Sequence, residues 1–320
     1  MTGKSTLWPH ASTGALREDV LRVLGVLKVA TPGQIQELTR PHLTLRHPHP
    51  HQGRRTKAHR NAALDLASRG LTVSEGHSRD GHKLWGLTPA GLEAAAQVLD
   101  RPLAEMGSIA RGAATHGAQH AMAVNATVHG LLQPRPEGRD LEQLGTVEQT
   151  CVEVGPEGLG SLMDMSTEVT LPVTGTWATP GRGAVQADLL VAAPEAAAPL
   201  LFVEVDRATM IPERVAQKVA GYQRFFERRD RQGELWWKAR WETPEPVQPV
   251  VAFVLTGRSE ENLIKRAAAI LTLADQYRTP FPVIGTTLMR LTERGPHGET
   301  WWNARRGGSP APLANVLSTA

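Results

Sequence analysis

The sequence holds one cysteine, Cys151. One thiol excludes an internal disulfide and a cysteine-built zinc site, so any metal bound here needs oxygen ligands. Aromatic residues are few, at 5%, and there are only seven lysines, so arginine carries most of the positive charge. No run of about 18 apolar residues occurs, and the opening residues have no apolar core of a secretory signal. These absences predict a cytoplasmic protein with no membrane contact. The 320 residues are 41% hydrophobic and 21% charged, a globular composition, and the length favours two domains.

The net charge of +3 conceals an asymmetry. Residues 1–100 hold 13 Lys/Arg and 8 Asp/Glu, whereas residues 101–320 hold 22 and 24. Between Arg40 and Arg60 stand Arg46, Arg54, Arg55 and Lys57, with no acid and with His42, His47, His49, His51 and His59 interleaved. Such a segment repels itself unless it meets a polyanion, and nucleic acid is the usual one. The alternative is a solvated loop. The His-Pro-His-Pro-His run at 47–51 is a poor metal site, because proline forces extended backbone and no acid or cysteine completes the set.

Apolar spacing predicts a helix over Leu16–Leu27 and a second opened by Thr31 and Pro32. A third spans Thr56–Arg69 and stops at Gly70. Two strands follow, at Leu71–Ser74 and Lys83–Leu87, joined by a polar turn containing Asp80 and Gly81. Thr88 and Pro89 open a fourth helix to Leu99. This order, with the phrase LTPAGLEAA after the second strand, resembles winged helix-turn-helix DNA-binding domains over about residues 15–100. The resemblance implies that the third helix enters the major groove of double-stranded DNA. Arg54, Arg55, Lys57 and Arg60 would then lie near phosphates or base edges, and Arg79 would reach DNA from the wing. The insertion between Thr39 and Thr56 is longer than the turn usual there.

The remainder reads as an α/β domain over 115–306. It runs from a helix over His116–Leu132 through strands at Ser166–Leu171, Gln186–Val191 and Leu200–Asp206 to a long helix at Pro212–Arg228. A strand at Val250–Leu255, a helix at Ser259–Asp275 and a last strand from Pro282 complete it. Residues 307–320 read as a disordered tail. The paired tryptophans Trp236, Trp237 and Trp301, Trp302, with Trp241, suit core packing better than stacking on bases.

Three carboxylates are poorly explained by packing. Asp188 interrupts an apolar strand, and Glu204 and Asp206 end the most apolar strand in the chain, on one face by period two. Buried carboxylates need a cation, a metal or hydrogen bonds. If Asp188 lies on the neighbouring strand, the three can converge on Mg²⁺ or Mn²⁺. Lys218 and Tyr222, one helical turn apart, can face the same acids. Alternatively, Arg207, Arg214 and Lys218 neutralise them, with Tyr222 in the core.

The series Asp188, Glu204, Asp206, Lys218, Tyr222 resembles the PD-(D/E)XK nuclease fold, an αβββαβ restriction-endonuclease-like sandwich. The phrase FVEVDRATMIPERVAQKVAGYQRF, after a winged helix, resembles the replication-relaxation family, proteins of plasmid replication and mobilisation. That implies a two-domain α+β protein of a plasmid or mobile element, with DNA and replication or conjugation proteins as partners. It also implies catalytic roles for Asp188, Glu204, Asp206, Lys218 and Tyr222, with the three acids as metal ligands. Two departures stand out. Asp206 occupies the place of the nuclease lysine, and the first helix offers only His116, His120, Asn125 and His129 where an acid is usual. Glu168 on the first strand is a candidate substitute. The alternatives to a DNA-binding replication protein are a Mg²⁺-dependent nickase or endonuclease, and a non-catalytic transcriptional regulator or protein-interaction module.

Overall fold

The computed structural model describes residues 7–39, 56–109, 118–132, 158–193, 198–241, 243, 248–305 and 308–317. The basic segment 40–55, with Arg54 and Arg55, lies outside them, as does most of the tract 134–160. The chain divides into two compact units. One comprises Met1–Asn125 with Leu144–Glu153, and the other Ala126–Gln143 with Val154–Ala320.

In the first unit, α1 (Gly14–Leu27) starts where the Thr13 side chain accepts the Leu16 N–H, and it buries Val20, Val23, Leu24 and Leu27. It ends at Lys28, whose φ is 68°. The Lys28 ammonium donates to the Gly25 and Met106 carbonyls, which fastens the segment after the fourth helix to the end of the first. β1 (Val29–Ala30) leads into α2 (Pro32–Thr39), capped reciprocally by Thr31 and Gln34. α3 (Lys57–Ser68) buries His59, Ala62, Ala63 and Leu66. Its Asp65 is fully buried and accepts from the N–H groups of His10 and Ser12 at 2.7 and 2.9 Å. The segment before α1 is thereby tied to α3.

β2 (Thr72–His77) and β3 (Lys83–Leu87) pair antiparallel, with β1 on the other side of β3. Gly81 turns the connection at φ 78°. α4 (Pro89–Leu99) is capped by Thr88. The glycine of the LTPAGLEAA phrase has a steric reason. A Cβ on Gly91 would sit 1.8 Å from the Leu71 carbonyl oxygen.

α5 (Ala118–Leu132) contains the division between the units, at Asn125/Ala126. Asn125, expected in the second domain's first helix, donates to Val29 O at 2.7 Å and so belongs with the first unit. The second unit is built on a six-stranded mixed sheet in the order β4–β5–β6–β7–β8–β9. These strands are β4 (Met165–Leu171), β5 (Val185–Ala193), β6 (Ala198–Asp206), β7 (Val250–Leu255), β8 (Val283–Thr287) and β9 (Trp302–Asn303). β6, β7 and β8 run parallel and the other pairs antiparallel. The helices are α6 (Pro212–Ala216), α7 (Lys218–Phe226), α8 (Lys238–Trp241), α9 (Glu260–Asp275), α10 (Leu288–Arg294) and α11 (Leu313–Leu317). The long helix expected over Pro212–Arg228 is two helices, parted at Gln217. Leu200, Phe202, Phe253 and Leu255 pack against Val215, Val219, Tyr222, Phe225 and Phe226, and against Leu263, Ala267 and Ile270 of α9.

Two expectations about the end of the chain are settled by packing. Trp237 and Trp301 are buried, and each donates its indole N–H to a backbone carbonyl, of Phe226 and Pro296. The tail beyond Gly307 is corrected. Ala311 pairs with Trp301, and Leu313 and Val316 are buried, so residues 308–317 fold onto this unit. Among the described residues, no helix is long and apolar enough to cross a membrane.

Gly91→Ala should destabilise the first unit by roughly 1–3 kcal/mol or more, because the new methyl has only backbone to push against. Urea unfolding of the full chain measures this. A change under about 0.5 kcal/mol, the usual range for an uninvolved surface site, would show that the contact with Leu71 is not rigid.

Candidate functional site

β6 lies inside the sheet, and its even-numbered residues face α6, α7 and α9. Leu200 and Phe202 fill that face with apolar bulk, and Glu204 and Asp206 continue it as acids. Glu204 is only 1% exposed. The Lys218 ammonium donates to its Oε2, and the Tyr222 hydroxyl donates to Oε1 at 2.7 Å. The one-turn spacing on α7 thus lets two donors grip one carboxylate. Phe202 packs edge-on to the Tyr222 ring at 5.8 Å and keeps water from one side of the pair.

Electrostatics follow from this burial. Loss of water pushes the Glu204 carboxyl up from its ordinary 4.5 to about 7, against the pull of Lys218 and with a further push from Asp188. Burial works against the Lys218 ammonium, but Glu204, Asp188 and Asp206 outweigh it and hold its pKa above the ordinary value. Burial and the neighbouring Glu204 drive the Tyr222 phenol well above its ordinary range.

Asp188 and Asp206 have other partners. β5 and β6 are in register at Leu189↔Val203, and one further step sets Asp188 across from Glu204. There the ladder opens, and the Val205 N–H donates to Asp188 Oδ2 at 2.7 Å. Asp206 is 5% exposed. Arg266 of α9 grips it in a two-pronged pair, Nε to Oδ2 at 2.5 Å and Nη2 to Oδ1 at 3.1 Å, and also donates to Met210 O. Sequence reasoning did not single out Arg266.

The three acids therefore stand close together as expected, and in this structure each has a protein partner. Glu204 carries two donors, Asp206 is neutralised by a guanidinium, and Asp188 holds a backbone N–H. Among the described residues, no group of three or more His, Cys, Asp or Glu is placed to hold a metal. Glu168, the candidate substitute, lies on β4 with φ 55° and is exposed. For Glu204 the pairing offsets the cost of burial only in part, which is why its carboxyl stays raised.

The other candidates lie in the first unit. Lys57 and Arg60 are exposed on α3, and Arg79 is exposed in the β2–β3 turn. Arg54 and Arg55 lie outside the described residues. The opposite side of α3 is closed by Ala62, Ala63 and Leu66.

The family model described as replication-relaxation matches residues 21–235, about two-thirds of the chain. The chain belongs to the replication-relaxation family. Membership points to a replication-related role on a plasmid or other mobile element. The span that matches the replication-relaxation model contains both the exposed bases of α3 and the Glu204–Lys218–Tyr222 cluster. No curated protein and no solved structure matches the chain.

Two outcomes follow. A carboxyl whose pKa is higher folded than unfolded adds stability that is complete below the unfolded value and is lost as pH rises through the folded one. Between 4.5 and about 7, Glu204 should therefore make stability fall with rising pH. The effect is on the order of 3 kcal/mol, at 1.36 kcal/mol per unit. Glu204→Gln should flatten that slope in urea unfolding at stepped pH, and an unchanged slope would place the titration elsewhere. Lys218→Ala should cost roughly 1–3 kcal/mol at pH 8, where an ionised Glu204 loses its cation. Wild-type stability in that variant would contradict the pairing.

Proposed function

We propose that the chain is a non-catalytic DNA-binding protein in the replication or mobilisation of a plasmid or other mobile element. Residues 15–100 act as a winged helix-turn-helix on double-stranded DNA, with α3 in the major groove and the β2–β3 turn as the wing. The observation that carries this reading is the two-sidedness of α3. Its apolar side is packed away, and its outer side presents Lys57 and Arg60, with Arg79 on the neighbouring hairpin. Arginine and lysine at such positions hold phosphates and set the register of the helix on the duplex. Arg54 and Arg55 add to this charge in sequence.

The second unit serves as a partner of the reader, for replication or conjugation proteins, and not as a nuclease. The occupied acids support this: the cations of Lys218 and Arg266 do for Glu204 and Asp206 what a metal would otherwise do. A bound ion would have to displace both.

Duplex binding by the full chain should weaken in Lys57→Ala/Arg60→Ala. Its salt dependence should flatten by about 2 in the slope of log K against log salt, at 0.9 per phosphate contact. An unchanged slope would take α3 off the DNA. Supercoiled plasmid incubated with pure protein and Mg²⁺ or Mn²⁺ should stay uncut. Nicking that is lost in Glu204→Ala would overturn the non-catalytic reading.

A further inference from the structure

Residues 101–320 sum to a slight negative charge, yet one stretch of them is strongly basic. Residues 224–240 carry Arg224, Arg228, Arg229, Arg231, Lys238 and Arg240 against Glu227, Asp230 and Glu234. The acids are partly occupied, since Asp230 caps the turn through Gln232 N and Glu234 N and Glu227 accepts from Gln223.

Part of this charge is gathered on one surface. The connection between β4 and β5, residues 172–184, contains Arg182 and no acid. Arg228 donates to the carbonyls of Pro172 and Gly175 at its base. Arg224, one turn earlier on α7, approaches its Gly183, where a Cβ would lie 3.9 Å from the guanidinium. Arg240 stands over the ring of Trp177 at 5.2 Å. Trp177 stacks on Trp236 at 4.8 Å, and Arg228 covers the other face of Trp236 at 3.5 Å. Arg182, Arg224, Arg228 and Arg240 therefore surround one connection that has no carboxylate of its own.

We propose that this surface of the second unit is a second contact for double-stranded DNA, reading the phosphate backbone alone. The chemistry favours phosphate over bases. Trp236 is covered on both faces, so it offers no free platform for stacking. The tryptophan pair instead holds Arg228 and Arg240 in place, which lowers the ordering cost of meeting a rigid row of anions. The cations belong to a connection, a helix face and the segment after it, so they present charge without a groove-reading element. The contact is sequence-neutral, and it rests on the reading of the chain as a DNA-binding protein.

The test is fluorescence anisotropy of the full chain on a labelled non-specific duplex across a salt series. It compares wild type with Arg182→Ala/Arg224→Ala/Arg240→Ala. The triple variant should show a slope shallower by about 2–3, at 0.9 per phosphate lost, and at least tenfold weaker binding at low salt. Its melting temperature should match wild type, and the corresponding triple Lys variant should restore most of the slope. Unchanged slope and affinity in the Ala variant, with wild type bound, would overturn this contact alone. Failure of wild type to bind any duplex would overturn both this contact and the proposed function. Wild type that binds duplex with the triple variant's slope, while only the variant loses poly-glutamate binding, would assign the surface to acidic protein and overturn the DNA contact.

Discussion

A carboxylate buried at the end of β6 sets the terms for much of the second unit. Glu204 is nearly inaccessible, and an unpaired charge there would cost several kcal/mol. The pairing with Lys218 and Tyr222 offsets part of that cost, and it fixes how α7 lies on the sheet. Tyr222 must reach Oε1 while Phe225 and Phe226 enter the core beside Phe202. Arg266 does the same for Asp206 from α9, so two helices are bound to the same strand end by charge as well as by apolar packing. The result is a strand end that looks like a nuclease centre in residue type and like a pair of ion-pair fasteners in geometry.

The first unit is organised by different means. Thr13, Thr31 and Thr88 each cap a helix, Asp65 holds the segment before α1, and Lys28 holds the segment after α4. None of these contacts uses Lys57, Arg60 or Arg79. They leave the outer side of α3 and the β2–β3 turn with free basic side chains. The contacts that hold this unit together therefore involve residues other than Lys57, Arg60 and Arg79, so substitutions there should test the proposed DNA contact without unfolding the chain.

Local signals in the sequence were enough for most elements. β3 and β7 occur as read: β7 is an uninterrupted apolar run, and β3 follows the turn at Asp80 and Gly81. The i, i+4 spacing of Lys218 and Tyr222 located both partners of Glu204 before any fold was known. Period two likewise placed Glu204 and Asp206 on one face. The partner of Asp206 was not legible, because Arg266 stands 60 positions away on a helix with its own amphipathic pattern. The missing partner mattered, since without it the acids read as metal ligands. The folding of residues 308–317 was hidden for a similar reason. Leu313 and Val316 are buried in a segment held by long-range contacts, the bridge of Ala311 to Trp301 and the Asn303 amide donating to Val316 O.

Lys218 and Arg266 balance the charges of Glu204 and Asp206, and the proposed non-catalytic reading rests on that balance. Titration of the full chain with Mn²⁺, followed by the electron paramagnetic resonance of the free ion, tests this most directly. Wild type should hold no stoichiometric Mn²⁺ at micromolar protein and neutral pH. One tightly held Mn²⁺ per chain that disappears in Glu204→Gln would contradict it.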